Sequence, residues 1–513
     1  MVFRSPWPDI ELPSCSICEE ILGDAERRGD KPAVIESETE RVLTYRQLID
    51  GANRVAAGLS LAGLQPGQPL AVVLPNCIDF ALAWLGTLRA GAWVVPINPL
   101  YTPPELETQI QDSGARYVVA ATECATSLER VVDHVFVTGS NWNEILECSA
   151  APPTVLTSVE DLAAMPYSSG TTGKPKGVML THFNILSGLR QARAVGVPRT
   201  EDVMVSMAPP YHVTGLVSFL TGLLAVGGTL VLMRRFDSER WLALCERYSA
   251  TILFGPPPVV VALTKSPLWS KFRLDSVVWM ACGTAPLGAD LHREFELRTG
   301  LVLRQGYGMT EATSATSIDS KDRAVRKFGS CGPLLPSTEA RVVEPGSGND
   351  LDAGETGEIW LRGPHIMKGY WKQPEATAQA LVGDGWLRTG DIGYLDADGC
   401  VFILDRLKEF IKYKGYQVSP AELEDVLQSH PAVLDAGVIG APDEAAGEIP
   451  LAFVVKKAGA ALDAGELIQY VAARVAPYKK IRAVEFIDQI PKSPAGKILR
   501  RVLKEDLRTR PAH

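Results

Sequence analysis

Between Thr44 and Asn98 the apolar positions alternate between two periods. From Thr44 to Ala62 they recur every three to four residues and predict an amphipathic helix. Leu70 to Leu74 is an apolar run of strand length, Ala81 to Ala90 returns to the helical period, and Trp93 to Pro96 is again strand-like. The same alternation runs from Val203 through Leu232, at Ile252 to Phe254 and at Val277 to Met280. Strand, helix and strand in succession predict mostly parallel sheets covered by helices, here as two α/β subdomains. From Gly329 to Leu404 the texture changes to short strands broken by Pro345-Gly346-Ser347-Gly348, Asp384-Gly385 and Asp398-Gly399, which suits a small β-barrel. After Asp405-Arg406-Leu407-Lys408, Ser419-Pro420-Ala421-Glu422 reads as a capping box with proline at the first helical position, opening a compact α+β unit. The predicted fold is therefore α/β, with a large N-terminal domain over residues 1–404 and a small α+β domain over 405–513.

One segment tests this reading. Leu216 to Met233 carries no charge over 18 residues, close to the length of a membrane span. Gly227-Gly228 interrupts it and Thr229 to Met233 has strand composition, so the expectation is helix, turn and buried strand.

With 513 residues, 46% hydrophobic and 22% charged, the chain can bury a large core divided into at least two domains. A formal net charge of −9 supplies no positive field for nucleic acid. Charge is uneven, with 11 Lys+Arg against 4 Asp+Glu between residues 474 and 510, a stretch that suits either an anionic ligand or a solvated basic surface. Nine cysteines without a repeating spacing suggest reduced thiols, and Cys15-Ser16-Ile17-Cys18, with no second pair, reads as the first turn of a helix. The start shows no basic, apolar and small-residue succession and the end is not Ser-Lys-Leu, so a cytoplasmic location is expected.

The chemistry concentrates in Tyr167-Ser168-Ser169-Gly170-Thr171-Thr172-Gly173-Lys174-Pro175-Lys176-Gly177-Val178. Its glycines let backbone approach an anion, its hydroxyls and N–H groups can donate to phosphate oxygens, and its lysines add charge. The spacing G-x-x-x-x-G-K-[ST] is absent, so this is not the common P-loop. Downstream follow Tyr211-His212, Gly306-Tyr307-Gly308-Met309-Thr310-Glu311, Thr389-Gly390-Asp391, Asp405-Arg406-Leu407-Lys408 and Pro491-Lys492-Ser493-Pro494-Ala495-Gly496-Lys497.

In this order, across nearly the whole chain, these motifs resemble the adenylate-forming enzymes, which include acyl-CoA synthetases, luciferase and peptide adenylation domains. The branch most similar is that of the 4-coumarate:CoA ligase-like enzymes. The resemblance implies an ATP-dependent carboxylic acid:CoA ligase that forms acyl-AMP and then acyl-CoA, with ATP, Mg²⁺ and coenzyme A, acting on an aromatic, alicyclic or medium-chain acid. It implies that Ser168, Ser169, Gly170, Thr171, Thr172, Gly173 and Lys176 enclose phosphates. Gly306, Tyr307 and Gly308 would hold adenine, Thr310 would contact the α-phosphate, and Glu311 with Thr172 would bind the metal. Asp391 and Arg406 would bind ribose, and Lys497 would bridge carboxylate and α-phosphate.

The same resemblance makes the small domain mobile about Lys408 and assigns Lys412, Gly415 and Gln417 to a second face used for thioester formation. By itself Lys412-Tyr413-Lys414 reads as a solvated strand edge. His212 stands where peptide adenylation domains place an Asp that pairs with an amino group, which favours a plain carboxylic acid and a role at the reacting end. Thr214 stands where an aromatic is usual, and Ala281-Cys282-Gly283-Thr284 departs from the usual run. Thr214, Cys282, Gly283 and Thr284 are therefore taken as acyl-pocket residues. Two alternatives stay open: an adenylation enzyme that passes its acyl group to a carrier protein or other acceptor, and a luciferase-like oxygenase.

Overall fold

A computed structural model describes residues 1–168, 175–322, 325–407, 409–414, 416–443, 446–493 and 496–509. Two eight-stranded sheets dominate the larger domain. One runs in the order Ser314–Ile318, Val302–Met309, Trp279–Cys282, Ile252–Gly255, Val203–Ser206, Thr229–Leu232, Pro32–Glu36, Val42–Thr44; its inner pairs are parallel and its two outer pairs antiparallel. The other has parallel Pro69–Val73 at its centre, between Trp93–Pro96 and Tyr117–Ala120. Helices Tyr45–Leu61 and Ile78–Arg89 pack together in the core shared by both sheets. Ile78–Arg89 is buried almost all round, as a helix between two layers must be. Trp84, Phe80 and Tyr45 are fully buried there, each burial contributing about 1.5–3 kcal/mol.

The segment expected to be a small barrel forms a six-stranded antiparallel sheet that includes Phe3–Arg4. Its hydrogen-bonded order runs open from Phe3–Arg4 to Leu381–Val382, with Val401–Arg406 beside Trp386–Leu395. The smaller domain has a five-stranded sheet covered by helices Pro420–Gln428, Ala464–Ala472 and Arg500–Thr509, the α+β composition expected.

Several boundaries differ from the sequence reading. The helix predicted from Ala81 begins at Ile78, whose N–H donates to Glu36 Oε1 at 2.7 Å. The strand predicted from Val277 begins at Trp279, because pairing with the neighbouring strand starts at Ile252, and Val277 closes a turn on Leu274. The capping box at Ser419 is half formed: Ser419 Oγ accepts from the Glu422 N–H, but both Glu422 oxygens take Lys479 Nζ at 2.8 Å instead of reaching back. Asp405 reinforces this helix start, accepting from Ser419 Oγ at 2.9 Å and the Ala421 N–H at 3.0 Å. Leu216 to Met233 forms the expected helix, turn and strand, and among the described residues no helix is long and apolar enough to cross a membrane. Cys15 and Cys18 flank the capped start of helix Ile17–Arg28, with all nine thiols free.

Candidate functional site

The parallel strands of the first sheet end on one edge, and the chain leaving them carries the site, the position where open α/β sheets bind ligands. His212 lies beyond Val203–Ser206, Pro256 follows Ile252–Gly255, Gly283 and Thr284 follow Trp279–Cys282, and Thr310 and Glu311 follow Val302–Met309. Two cavities open here. One, of about 410 Å³, lies between the domains and is walled by Tyr307, Asp391 and Arg406 on one side and Lys492, Gly496 and Lys497 on the other. The second, of about 280 Å³, runs into the larger domain past His212, Thr214, Phe254, Trp279, Cys282 and Thr310. Thr284, Gly306, Tyr307 and Gly308 line both. Gly308 has to be glycine, since a Cβ there would lie 1.6 Å from the Ser314 carbonyl oxygen on the adjacent strand. Thr284 is held at φ +76°, a strained conformation for a residue with a side chain, at the junction of the two spaces.

In the interdomain cavity, the Tyr307 hydroxyl donates to Asp391 Oδ2 at 2.7 Å and Arg406 Nε lies 2.9 Å from Asp391 Oδ1. Burial, with Asp391 beside it, pushes the Tyr307 phenol well above its ordinary value, so it remains a donor. Lys497 is half-buried, and its ammonium has no ion-pair partner among the described residues. Burial first, and the Arg406 guanidinium second, lower its pKa. Much of the surrounding basic stretch is paired instead: Lys492 with Asp435 at 2.5 Å, Lys479 with Glu422, and Arg500 with Glu424 at 2.7 Å.

Ser168 and Lys176 face each other across an antiparallel ladder, which frames the stem of the glycine-rich loop. Ser169, Gly170, Thr171, Thr172 and Gly173, like Lys408 and Gly415, lie outside the described residues. Lys176 Nζ sits 4.8 Å over the Tyr370 ring, and the Tyr370 hydroxyl donates to Glu311 Oε1 at 2.9 Å. The second Glu311 oxygen has no hydrogen bond among the described residues, so this buried carboxylate keeps an oxygen for a hard cation. Ser168, Lys176 and Glu311 line neither cavity. Sequence reasoning missed Tyr370, which no local motif marks.

His212 is neutral: burial lowers its pKa to about 4, and its buried Nε2 has no partner among the described residues. Thr214 opens the π-helical turn Thr214–Thr221, a distortion frequent at functional sites. Burial raises the pKa of Cys282 far above the ordinary thiol range, so it lines the cavity as an inert group. The structure does not bring Lys412 to either cavity. It is exposed on the hairpin Ile411–Tyr413/Tyr416–Val418, directly opposite Gln417 in register, while Lys497 occupies the interdomain wall.

The family profile described as AMP-binding enzyme matches residues 23–371, and that of its C-terminal domain matches residues 422–497. The chain belongs to the AMP-binding enzyme family. It is 40% identical to 4-coumarate--CoA ligase 3 of Oryza sativa subsp. japonica, over 99% of this chain and 95% of that protein. Its fold is similar to ATP-bound MatB from Rhodopseudomonas palustris (TM-score 0.89, 30% identity, 96% and 99% of the two chains). It is likewise similar to the anthranilate CoA ligase AuaEII in complex with anthranoyl-AMP (TM-score 0.89, 27% identity, 96% and 98%). This AMP-binding enzyme is an ATP-dependent acid:CoA ligase, forming acyl-AMP and then acyl-CoA from carboxylic acids.

Proposed function

We propose that the acid is aromatic, alicyclic or medium-chain and lies in the 280 Å³ cavity, with ATP between the domains. The observation that carries this reading is the common wall of Thr284, Gly306, Tyr307 and Gly308, at which a carboxylate in one space meets an α-phosphate in the other. Apolar walls such as Phe254 and Trp279 suit a hydrocarbon body, and the neutral His212 in the cavity wall suits an acid without an ammonium group.

A carboxylate is a poor electrophile towards a thiol. One of its oxygens attacks the α-phosphorus in line, the bond to the bridging oxygen breaks and pyrophosphate leaves. The acyl carbon then carries AMP, which departs when the coenzyme A thiolate attacks. Lys497, beside Arg406 and Asp391, is placed to neutralise charge as carboxylate and α-phosphate approach. Tyr307 and Arg406 hold Asp391 as a fixed acceptor for ribose hydroxyls. Glu311, with Thr172, would hold Mg²⁺, which supplies charge neutralisation on the departing phosphates.

For the second step, residues 405–513 would turn about 405–408, withdrawing Lys497 and bringing in Lys412, Gly415 and Gln417. The exposure of Lys412 here is what that exchange requires of the resting face. Nine unbridged cysteines fit a reducing cytoplasm. The test is incubation with ATP, Mg²⁺, coenzyme A and a mixed panel of aromatic, alicyclic and fatty acids, with products identified by mass spectrometry. Acyl-CoA from a member of these classes is expected; acyl-AMP accumulating without acyl-CoA would overturn coenzyme A as acceptor.

A further inference from the structure

The wall of the acyl cavity is mostly apolar, with a few neutral polar side chains such as His212, Thr214 and Thr310, and Arg304 is its one charged side chain among the described residues. On strand Val302–Met309, Arg304, Gly306 and Gly308 alternate onto one face and all three line this cavity. The two glycines leave space beside the nucleotide, and the arginine stands at the inner end. Arg304 is only 3% exposed. Its guanidinium lies over the Trp279 ring at 4.7 Å, and Trp279 is also a cavity wall. Nε donates to the Asp319 backbone carbonyl at 2.7 Å, while buried Nη1 has no hydrogen-bond partner among the described residues.

Arg304 makes no ion pair within 4.0 Å among the described residues, although the Asp319 carboxylate, whose buried Oδ2 accepts no hydrogen bond there, attracts it from farther off. The Asp319 carboxylate accepts from the Ser320 N–H with one oxygen, and its other oxygen lies 3.9 Å from Arg326 Nε. Arg326 is in turn committed to Glu296 at 2.5 Å. A buried guanidinium with a spare donor is costly unless an acceptor meets it. Had the cavity evolved for a hydrocarbon tail alone, an aliphatic residue at 304 would serve it better.

We propose that Arg304 is a specificity residue: the acid carries an oxygen acceptor, carbonyl, hydroxyl or second carboxylate, at the end remote from its reacting carboxylate, and Arg304 receives it. At roughly 3.3 Å per strand residue, the Arg304 backbone lies about 7–10 Å from those of Gly306 and Tyr307 on the shared wall, so the oxygen it receives is at the end of the acid away from the reacting carboxylate. The proposal rests on the reading that the acid occupies this cavity.

The test takes the full chain with ATP, Mg²⁺ and coenzyme A and acids matched in length, ending in methyl, in ketone or hydroxyl, or in carboxylate. Initial pyrophosphate release gives kcat/KM for each. The expected result is a preference of at least about tenfold for an oxygen-ended acid over its methyl-ended partner, carried in KM. In Arg304→Met that ratio falls towards one, and because it compares two substrates on one variant, general damage cancels. Arg304→Lys, which keeps charge but loses the fork, should give an intermediate ratio. The neutral and carboxylate arms decide which oxygen group is received.

Equal or better use of the methyl-ended acids by the unaltered enzyme overturns the proposal and leaves the ligase reading intact. So does an undiminished ratio in Arg304→Met. Val217 also lines this cavity; if instead Val217→Trp, which fills it, leaves turnover of every acid unchanged, the placement of the acid fails and this proposal fails with it.

Discussion

Arg406 Nε lies 2.9 Å from Asp391 Oδ1, and the two residues are direct partners in the antiparallel pair Trp386–Leu395/Val401–Arg406. The pairing register therefore sets this contact before any ligand arrives. Asp391 Oδ2 is held from the other side by Tyr307, a residue of a different sheet. Arg406 is also the last strand residue before the chain enters the smaller domain, so the Tyr307–Asp391–Arg406 cluster and the domain crossing share one anchor. Preorganisation of this kind keeps the acceptor from reorganising when the nucleotide binds.

Tyr307→Phe tests that anchor. Removing the hydroxyl leaves the ring in place but takes one buried hydrogen bond from Asp391, a loss of about 1 kcal/mol. KM for ATP should rise several-fold with kcat little changed, measured by pyrophosphate release. Asp391→Asn, which also weakens the Arg406 pair, should raise it further.

Lys497 lines the interdomain cavity, whereas Lys412 is exposed and lines neither cavity. Lys497→Gln, or acetylation of Lys497, should lower pyrophosphate release by roughly 10²–10³-fold while supplied acyl-AMP is still converted to acyl-CoA. Lys412→Ala should do the reverse. Equal loss of both half-reactions in Lys497→Gln would end this division of labour.

Gly496 sets the loop that presents Lys497. Its φ is +79°, and a Cβ would lie 3.1 Å from the Pro256 ring of the larger domain. A rigid ring has little room to yield, and an L side chain is strained at that φ. Gly496→Ala should therefore slow adenylation at least about tenfold through displacement of Lys497. Thermal unfolding of the larger domain and thioester formation from acyl-AMP should hardly change.

Stability should fall in mild acid. Burial lowers the pKa of His182 and of His365 to about 4, and His182 Nδ1 accepts from the Ile17 N–H at 3.1 Å, a bond that protonation there destroys. Between pH 6.5 and 4 the unfolded chain binds these protons and the folded chain does not, so stability is present above 6.5 and lost as pH falls towards 4, by on the order of 3 kcal/mol for one such histidine. Asp319, whose pKa burial raises to about 7, works in the opposite direction. Melting temperatures of the unaltered chain and His182→Gln should be compared at pH 7.5, 6, 5 and 4.5. The gap between them should narrow or reverse with acid; parallel curves would show that His182 does not supply it.

Local pattern determined a great deal in this protein. Apolar period located the helix Tyr45–Leu61, the strand Trp93–Pro96 and the helix-turn-strand after Leu216, because side-chain burial in these elements repeats at 3.6 or 2 residues. The resemblance of its ordered motifs to the adenylate-forming enzymes singled out Gly306, Asp391, Arg406 and Lys497, and the structure brings all four to the interdomain cavity. Tertiary structure alone decided what these groups touch. Tyr307 meets Asp391 across 84 residues and Tyr370 meets Glu311 across 59, contacts made by tertiary packing that no neighbour in sequence announces. The start of the strand at Trp279 and the unreciprocated capping box at Ser419 followed from a pairing register and from Lys479, both set at long range. No sequence motif singled out Arg304. Only the closing of strand against strand buried it in the wall of a mostly apolar cavity, where a guanidinium with a spare donor acquires a meaning it lacks in water.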